Sequence, residues 1–238
     1  MSSKHLIEPE LLPGLEILPN IDFSEQTLLT FRKRFVKINA LTKDEELASL
    51  GIIRQEVFVT GPSGAPDVRV VTYTHKKESL EQRPAYLDIH GGGFIIGSAE
   101  MDDAMCVYIA SELDCVVVSV NYRLAPETCF PGNIEDCYAA LKWLYSNARE
   151  LGADPERIAI GGASAGGGLA ASLALLSRDR DEVPIIHQHL LYPMLDDRKP
   201  ESPHPYVGEF GWTRSSSHFG WKSILGKEPD GENVSPYA

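Results

Sequence analysis

The 238-residue chain reads as an α/β domain: a mostly parallel central sheet with flanking helices and a helical cap at its N-terminus. Three observations predict this. Short apolar runs rich in Val and Ile alternate with longer stretches of helical periodicity. Two of the short runs end in glycine-rich turns, His90-Gly91-Gly92-Gly93-Phe94 and Gly162-Ala163-Ser164-Ala165-Gly166. A hydrophobic content of 43% is enough to fill one core of this size.

The elements follow in order. Ser24 is placed to cap a helix whose Leu28, Phe31, Phe35 and Val36 share one face. Gln55 to Val59 and Val68 to Thr74, joined by Gly61-Pro62-Ser63-Gly64, read as a hairpin. A strand at Ala85 to Ile89 precedes a helix near Asp103 to Glu112 and the apolar strand Cys115 to Val120. The next helix is the clearest. Pro131 suits its first turn, Ile134, Cys137, Tyr138, Leu141, Leu144 and Ala148 recur at helical spacing, and Gly152 ends it. Arg157 to Ile160, entered from the turn-like Ala153-Asp154-Pro155, is too short for a helix and reads as a strand, whereas Leu169 to Leu176 is proline-free and helix-forming. A sixth strand is expected near Ile185 to Tyr192, and Asp197 to His218, rich in Pro and Ser, reads as a long loop.

A Gly-x-Ser-x-Gly pattern arises by chance in roughly one chain of this length in ten, so its neighbours decide its meaning. Here a strand precedes it and a helix follows. That context makes Ser164 a nucleophile raised on a sharp turn at a helix N-terminus, where the dipole favours developing negative charge. The three glycines after His90 have no side chains to bury, so their value lies in backbone N–H groups. No lysine follows them and their spacing fits neither nucleotide-binding fingerprint. Amides of such a loop, with the N–H after the nucleophile, build an oxyanion hole.

These motifs, with Asn121-Tyr122-Arg123-Leu124-Ala125-Pro126-Glu127, Phe130-Pro131, Glu135-Asp136 and Leu191-Tyr192-Pro193-Met194-Leu195-Asp196-Asp197, resemble the hormone-sensitive-lipase branch of the α/β-hydrolases, the bacterial His-Gly-Gly-Gly carboxylesterases. The resemblance runs from about Gln55 to Arg198. It implies an α/β-hydrolase fold, Ser164 as nucleophile, and an oxyanion hole from the amides of Gly92, Gly93 and Ala165. It also implies N-terminal cap helices over 1–50, a core over 51–198 and a cap or insert segment over 199–238, with a small-molecule ester as substrate and no cofactor. One departure is Ala163, where many members carry Asp or Thr; it touches a supporting hydrogen bond, not the nucleophile.

In that family the triad acid and histidine follow the nucleophile behind two further strands, each needing about 30 residues with its crossover. Nothing after Ser164 reads as either motif. The expectation is therefore a chain that stops before the last strands, leaving a long apolar edge on the sixth. Such a chain is expected to be unstable alone or to pair through that edge with a second copy. His187 and His189 alternate on one strand face and are expected to point into packing; without a third ligand they make no metal site. His204 and His218 lie in the tail as surface or half-packed residues, and Asp196 and Asp197 are structural in the resembled branch. No base is assigned.

The formal charge of −12 argues against nucleic acid or anionic membrane as a partner. The N-terminus lacks a signal-peptide core and no run reaches membrane-spanning length. Cys106, Cys115, Cys129 and Cys137 show no Cys-x-x-Cys spacing and suit packed thiols in a cytoplasmic protein. The function expected is hydrolysis of short-chain acyl esters. The alternative is a ligand-binding homologue that keeps the pocket and loses the triad histidine, against which an intact Ser164 argues. A third arrangement has the remaining strands on a separate polypeptide.

Overall fold

Alternating apolar residues on six short strands give the sheet two buried faces, and helices cover both. The computed structural model describes all residues except 1, 18–21, 36–40, 78, 80, 199–205 and 207. After two short 3-10 turns at Ser3–Leu6 and Pro9–Leu11 come α1 (Leu12–Ile17), α2 (Glu25–Phe35) and α3 (Asp44–Leu50). The hairpin β1 (Ile52–Val59) and β2 (Val68–His75) leads to β3 (Arg83–Ile89), α4 (Asp103–Glu112), β4 (Val116–Asn121) and α5 (Gly132–Asn147). Then follow β5 (Ala153–Ala163), α6 (Ala165–Arg180), β6 (His187–Leu191) and α7 (Arg214–Leu225).

The strand order is β1-β2-β4-β3-β5-β6. β1 and β2 are antiparallel to their neighbours, and β4, β3, β5 and β6 run parallel. This is the α/β fold that the alternation of elements predicts. Leu87, Val118 and Ile160 point to one face, where Leu141 and Leu144 of α5 and Leu169 and Leu173 of α6 bury against them. Tyr86 and Val117 point to the other, under Leu47 of α3 and Cys106, Val107 and Ala110 of α4. The helical positions read from α5, including Ile134, Cys137 and Ala148, are all in the larger core.

Several expectations are corrected. Ala153-Asp154-Pro155 is no turn but the start of β5, which pairs Ala153 with Arg83 and then shifts register, so that Ile158 meets Ala85. Gly152, in the left-handed region at φ +82°, stands five residues beyond the end of α5 and turns the chain into β5 rather than closing the helix. The tail is not loop throughout to His218. α7 starts at Arg214, because the Thr213 hydroxyl accepts from the Ser216 N–H and Trp221 and Ile224 bury against the larger core. β6 is shorter and more polar than a long apolar strand; His187 is exposed rather than packed, while His189 is half-buried beside Tyr86. Ser24 precedes α2 as expected, and Leu28 is buried. Val36 and His204 lie outside the described residues.

Candidate active site

β5 and β3 end side by side, and the two glycine-rich turns leave from those ends. At the first, Ser164 sits between β5 and α6 with φ +57° and ψ −119°, a strained conformation for a residue with a side chain. Its backbone is tied on three sides. The Ser164 N–H donates to Leu191 C=O at 2.9 Å, while the Gly168 and Met194 N–H groups donate to its carbonyl at 3.0 and 2.9 Å. The turn can be this tight because Gly166 presses on β3: a β-carbon there would lie 1.9 Å from the Ile89 carbonyl oxygen.

The second turn lies against the first. A β-carbon on Gly91 would fall 2.8 Å from the Ala163 carbonyl oxygen and 3.6 Å from the Ser164 Cβ, so the glycine loop runs beside the serine. Among the described residues, the N–H groups of Gly92, Gly93 and Ala165 donate to no protein acceptor, and none hydrogen-bonds the Ser164 hydroxyl. The glycine loop is thus brought beside Ser164 at the N-terminus of α6.

The loop is held from several sides. The His90 ring is fully buried and stacks on Tyr122 at 4.2 Å. Burial pushes its imidazole down to about 4, so it is neutral. Its Nδ1 lies 2.8 Å from the Gly91 carbonyl, which only accepts, so the proton is on Nδ1 and the buried Nε2 is bare and unpartnered. The Tyr122 hydroxyl donates to the His90 carbonyl at 3.0 Å. From α2, Arg32 donates to the Ile95 and Ala125 carbonyls, both at 2.7 Å. Trp212 lies against Gly93, where a β-carbon would meet its ring at 2.1 Å, and packs on Phe23 at 5.2 Å between centroids. Trp212 is hidden in the sequence because the Pro- and Ser-rich tail reads as loop; the signal for it is a large aromatic beside the capping residue Thr213.

The remaining candidates lie elsewhere. His187 and His189 sit on β6, with the His189 Nδ1 3.5 Å from the Tyr86 hydroxyl. His218 on α7 pairs through Nε2 with Glu228 at 3.1 Å. Asp196 is held by Arg198 at 2.6 Å, which brings its carboxyl down to about 2, and Asp197 accepts from the Gly231 N–H at 3.0 Å. Among the described residues no group of three or more His, Cys, Asp or Glu side chains is arranged to hold a metal ion.

A strand, a strained serine turn and a helix set against a glycine loop can present an oxygen nucleophile and backbone donors to one carbonyl. The family model for the alpha/beta hydrolase fold matches residues 86–238. The chain belongs to the α/β-hydrolase fold family. Among solved members, a bacterial heroin esterase superposes with a TM-score of 0.88 at 40% identity, covering 100% of this chain and 75% of that one. A hyperthermophilic esterase from the archaeon Pyrobaculum calidifontis gives a TM-score of 0.81 at 33% identity, over 98% and 74% of the two chains. Carboxylesterase NlhH of Mycobacterium tuberculosis is 40% identical over 187 residues, 79% of this chain and 57% of the relative. Esterase LipI of the same organism is 36% identical over 190 residues, 80% and 58%. The chain therefore spans under three-fifths of the length of those curated relatives. Among its described residues no helix is long and apolar enough to cross a membrane.

Proposed function

We propose that the protein is a serine carboxylesterase of the hormone-sensitive-lipase branch, cleaving short-chain acyl esters through an acyl-enzyme. The observation that carries this reading is Ser164, held at φ +57° beside a loop whose Gly92 and Gly93 amides, with that of Ala165, have no acceptor among the described residues. The esterases among its relatives support it. Ser164 Oγ attacks the ester carbonyl carbon, and the carbonyl electrons move onto oxygen. The three amides hold that oxyanion, each donor contributing on the order of 3–4 kcal/mol in the transition state. Collapse expels the alcohol, and water then releases the acid from the serine ester.

A histidine oriented by a carboxylate takes the serine proton and returns it to the leaving alcohol. None of the described histidines is assigned to that role. Residues 1–50 and 199–238 cap a core spanning 51–198, a division supported at the front of the molecule by Phe23 packing on Trp212 and by the Ser216 hydroxyl accepting from the Phe23 N–H at 3.2 Å. Three buried free thiols accord with a reducing, cytoplasmic setting. A second copy is expected to associate along β6.

The test is the release of p-nitrophenol from p-nitrophenyl butyrate over a prolonged incubation. With no base assigned among the described residues, a slow release that reaches at least one equivalent per protein, absent in Ser164→Ala, is the expected result. Identical traces from the two proteins remove Ser164 from the chemistry and defeat the reading.

A further inference from the structure

On the α4 face of the sheet, two residues before His90, Asp88 of β3 is buried with 4% of its surface exposed. Its Oδ2 lies 2.8 Å from the Ser119 Oγ of β4. The same Oγ lies 2.9 Å from the carbonyl oxygen of Ala99. A hydroxyl has one proton, and a backbone carbonyl can only accept. Both contacts are full two-centre hydrogen bonds only if Ser119 donates to Ala99 and Asp88 supplies the other proton. If Asp88 were ionised, Ser119 would have to choose, and one buried oxygen would lose its donor.

Ala99 matters because the glycine loop rejoins the core there. It is fully buried, its N–H donates to Asn121 Oδ1 at 3.2 Å, and its carbonyl takes the Ser119 proton. Both of its backbone groups are therefore held by side chains of β4. The surroundings of Asp88 favour its neutral form. Asp102, at the N-terminus of α4, is a second carboxylate within interaction distance, and both are raised chiefly by burial, with the charge of Asp102 adding to the effect on Asp88. The Asp88 carboxyl is pushed up to about 7. From α4 the Cys106 thiol donates to it, which opposes this shift without outweighing burial. Tyr86 of β3, whose hydroxyl meets His189 of β6, and Tyr122 after β4 are the neighbouring phenols. Arg54 is engaged by Asp103 at 2.8 Å, beside Tyr73.

We propose that Asp88 is a positioning residue kept as a neutral carboxylic acid, donating to Ser119 so that Ser119 can hold Ala99 and fix the base of the glycine loop. Ionisation of Asp88 releases that anchor, so order in the loop is lost as pH rises through neutrality. This goes beyond the esterase reading, and its test does not depend on hydrolysis.

The sign is fixed by linkage. A carboxyl raised in the folded protein stabilises fully below its unfolded value near 3.8, and that contribution is lost as pH rises to its folded value. Asp88→Asn keeps the shape and a donor toward Ser119 but has no proton to lose. From about pH 4 to 7 the unfolding midpoint of the variant should gain steadily on wild type, with the slope of a single proton, and then run parallel. The difference between the proteins is the readout, because His90 titrates with the opposite sign over much of the same range. A gap that does not change with pH overturns the proposal.

Infrared spectroscopy of the wild-type chain supplies a second readout should Asp88→Asn fail to fold. At mildly acidic pH it should show the carbonyl stretch of a buried protonated carboxylic acid, fading above neutrality. Asp102→Asn should keep that band and move its titration to lower pH. No such band in wild type, or its loss in Asp102→Asn, overturns the proposal.

Discussion

β5 has two neighbours, and the two sides of it are built differently. Toward β3, backbone meets backbone with no room for a β-carbon: one on Gly162 would fall 2.2 Å from the Ile89 carbonyl and one on Gly166 1.9 Å from the same atom. Toward β6 the sheet thins to a five-residue strand with no further partner among the described residues. Ile186 and Tyr192, at its two ends, are 61% and 78% exposed. The candidate site draws on both sides: its tightest contacts are main chain against β3, while the Leu191 carbonyl and Met194 N–H tie the Ser164 backbone from the β6 side. The outward side chains of that edge, Ile186 and Tyr192, are the ones free to change.

The largest effect expected from this contrast is Gly166→Ala, which forces a methyl group into the Ile89 carbonyl; no folded protein, or a loss of at least about 3 kcal/mol by urea denaturation, is predicted. Gly14→Ala is the control, since its added carbon meets nothing within 4 Å and should stabilise α1 by about 0.5–1 kcal/mol.

Next is the tie between the segment after β4 and α5, where Arg123 donates to the buried Asp136 through its own N–H at 2.9 Å and its guanidinium at 2.7 and 2.8 Å. Arg123→Leu leaves that carboxylate without its cation and should cost about 3–5 kcal/mol in the same measurement. A third test concerns His90. Its folded value near 4 lies below its ordinary 6.5, so its contribution is present above 6.5 and lost as pH falls toward 4, about 3 kcal/mol in all. His90→Asn should remove that acid-side loss; an unchanged acid limb would show that His90 is not buried as a neutral ring. Smallest is Ile186→Lys at the edge, expected to change stability by no more than about 0.5 kcal/mol while weakening self-association in sedimentation velocity.

What was legible in the sequence follows the same division. The elbow and the glycine loop could be read because their glycines and strand–turn–helix context are local requirements of the backbone. α5 could be read because Ile134, Cys137, Tyr138, Leu141 and Leu144 all bury on one face. α7 was hidden because Arg214-Ser215-Ser216-Ser217-His218 has weak intrinsic helix preference, and Trp221 and Ile224 overrule it only once the core exists. The start of β5 was hidden by Pro155, which the strand absorbs at a register shift opposite Arg83 and Ala85. The alternation of His187 and His189 was visible, but what covers a strand face is a tertiary fact. The proton shared around Asp88 was equally out of reach, since it depends on Ser119 and Ala99 meeting across the sheet.

The central claim is that Ser164 is a nucleophile served by the backbone donors around it. Prolonged incubation with a p-nitrophenyl alkylphosphonate, followed by intact-mass and peptide mapping, tests it at the bond-forming step: Ser164 Oγ bonds to phosphorus and nitrophenolate leaves. A single phosphonyl adduct on Ser164, absent from Ser164→Ala, is predicted. A wild-type chain that stays unmodified, or an adduct that persists in the variant, would contradict the account.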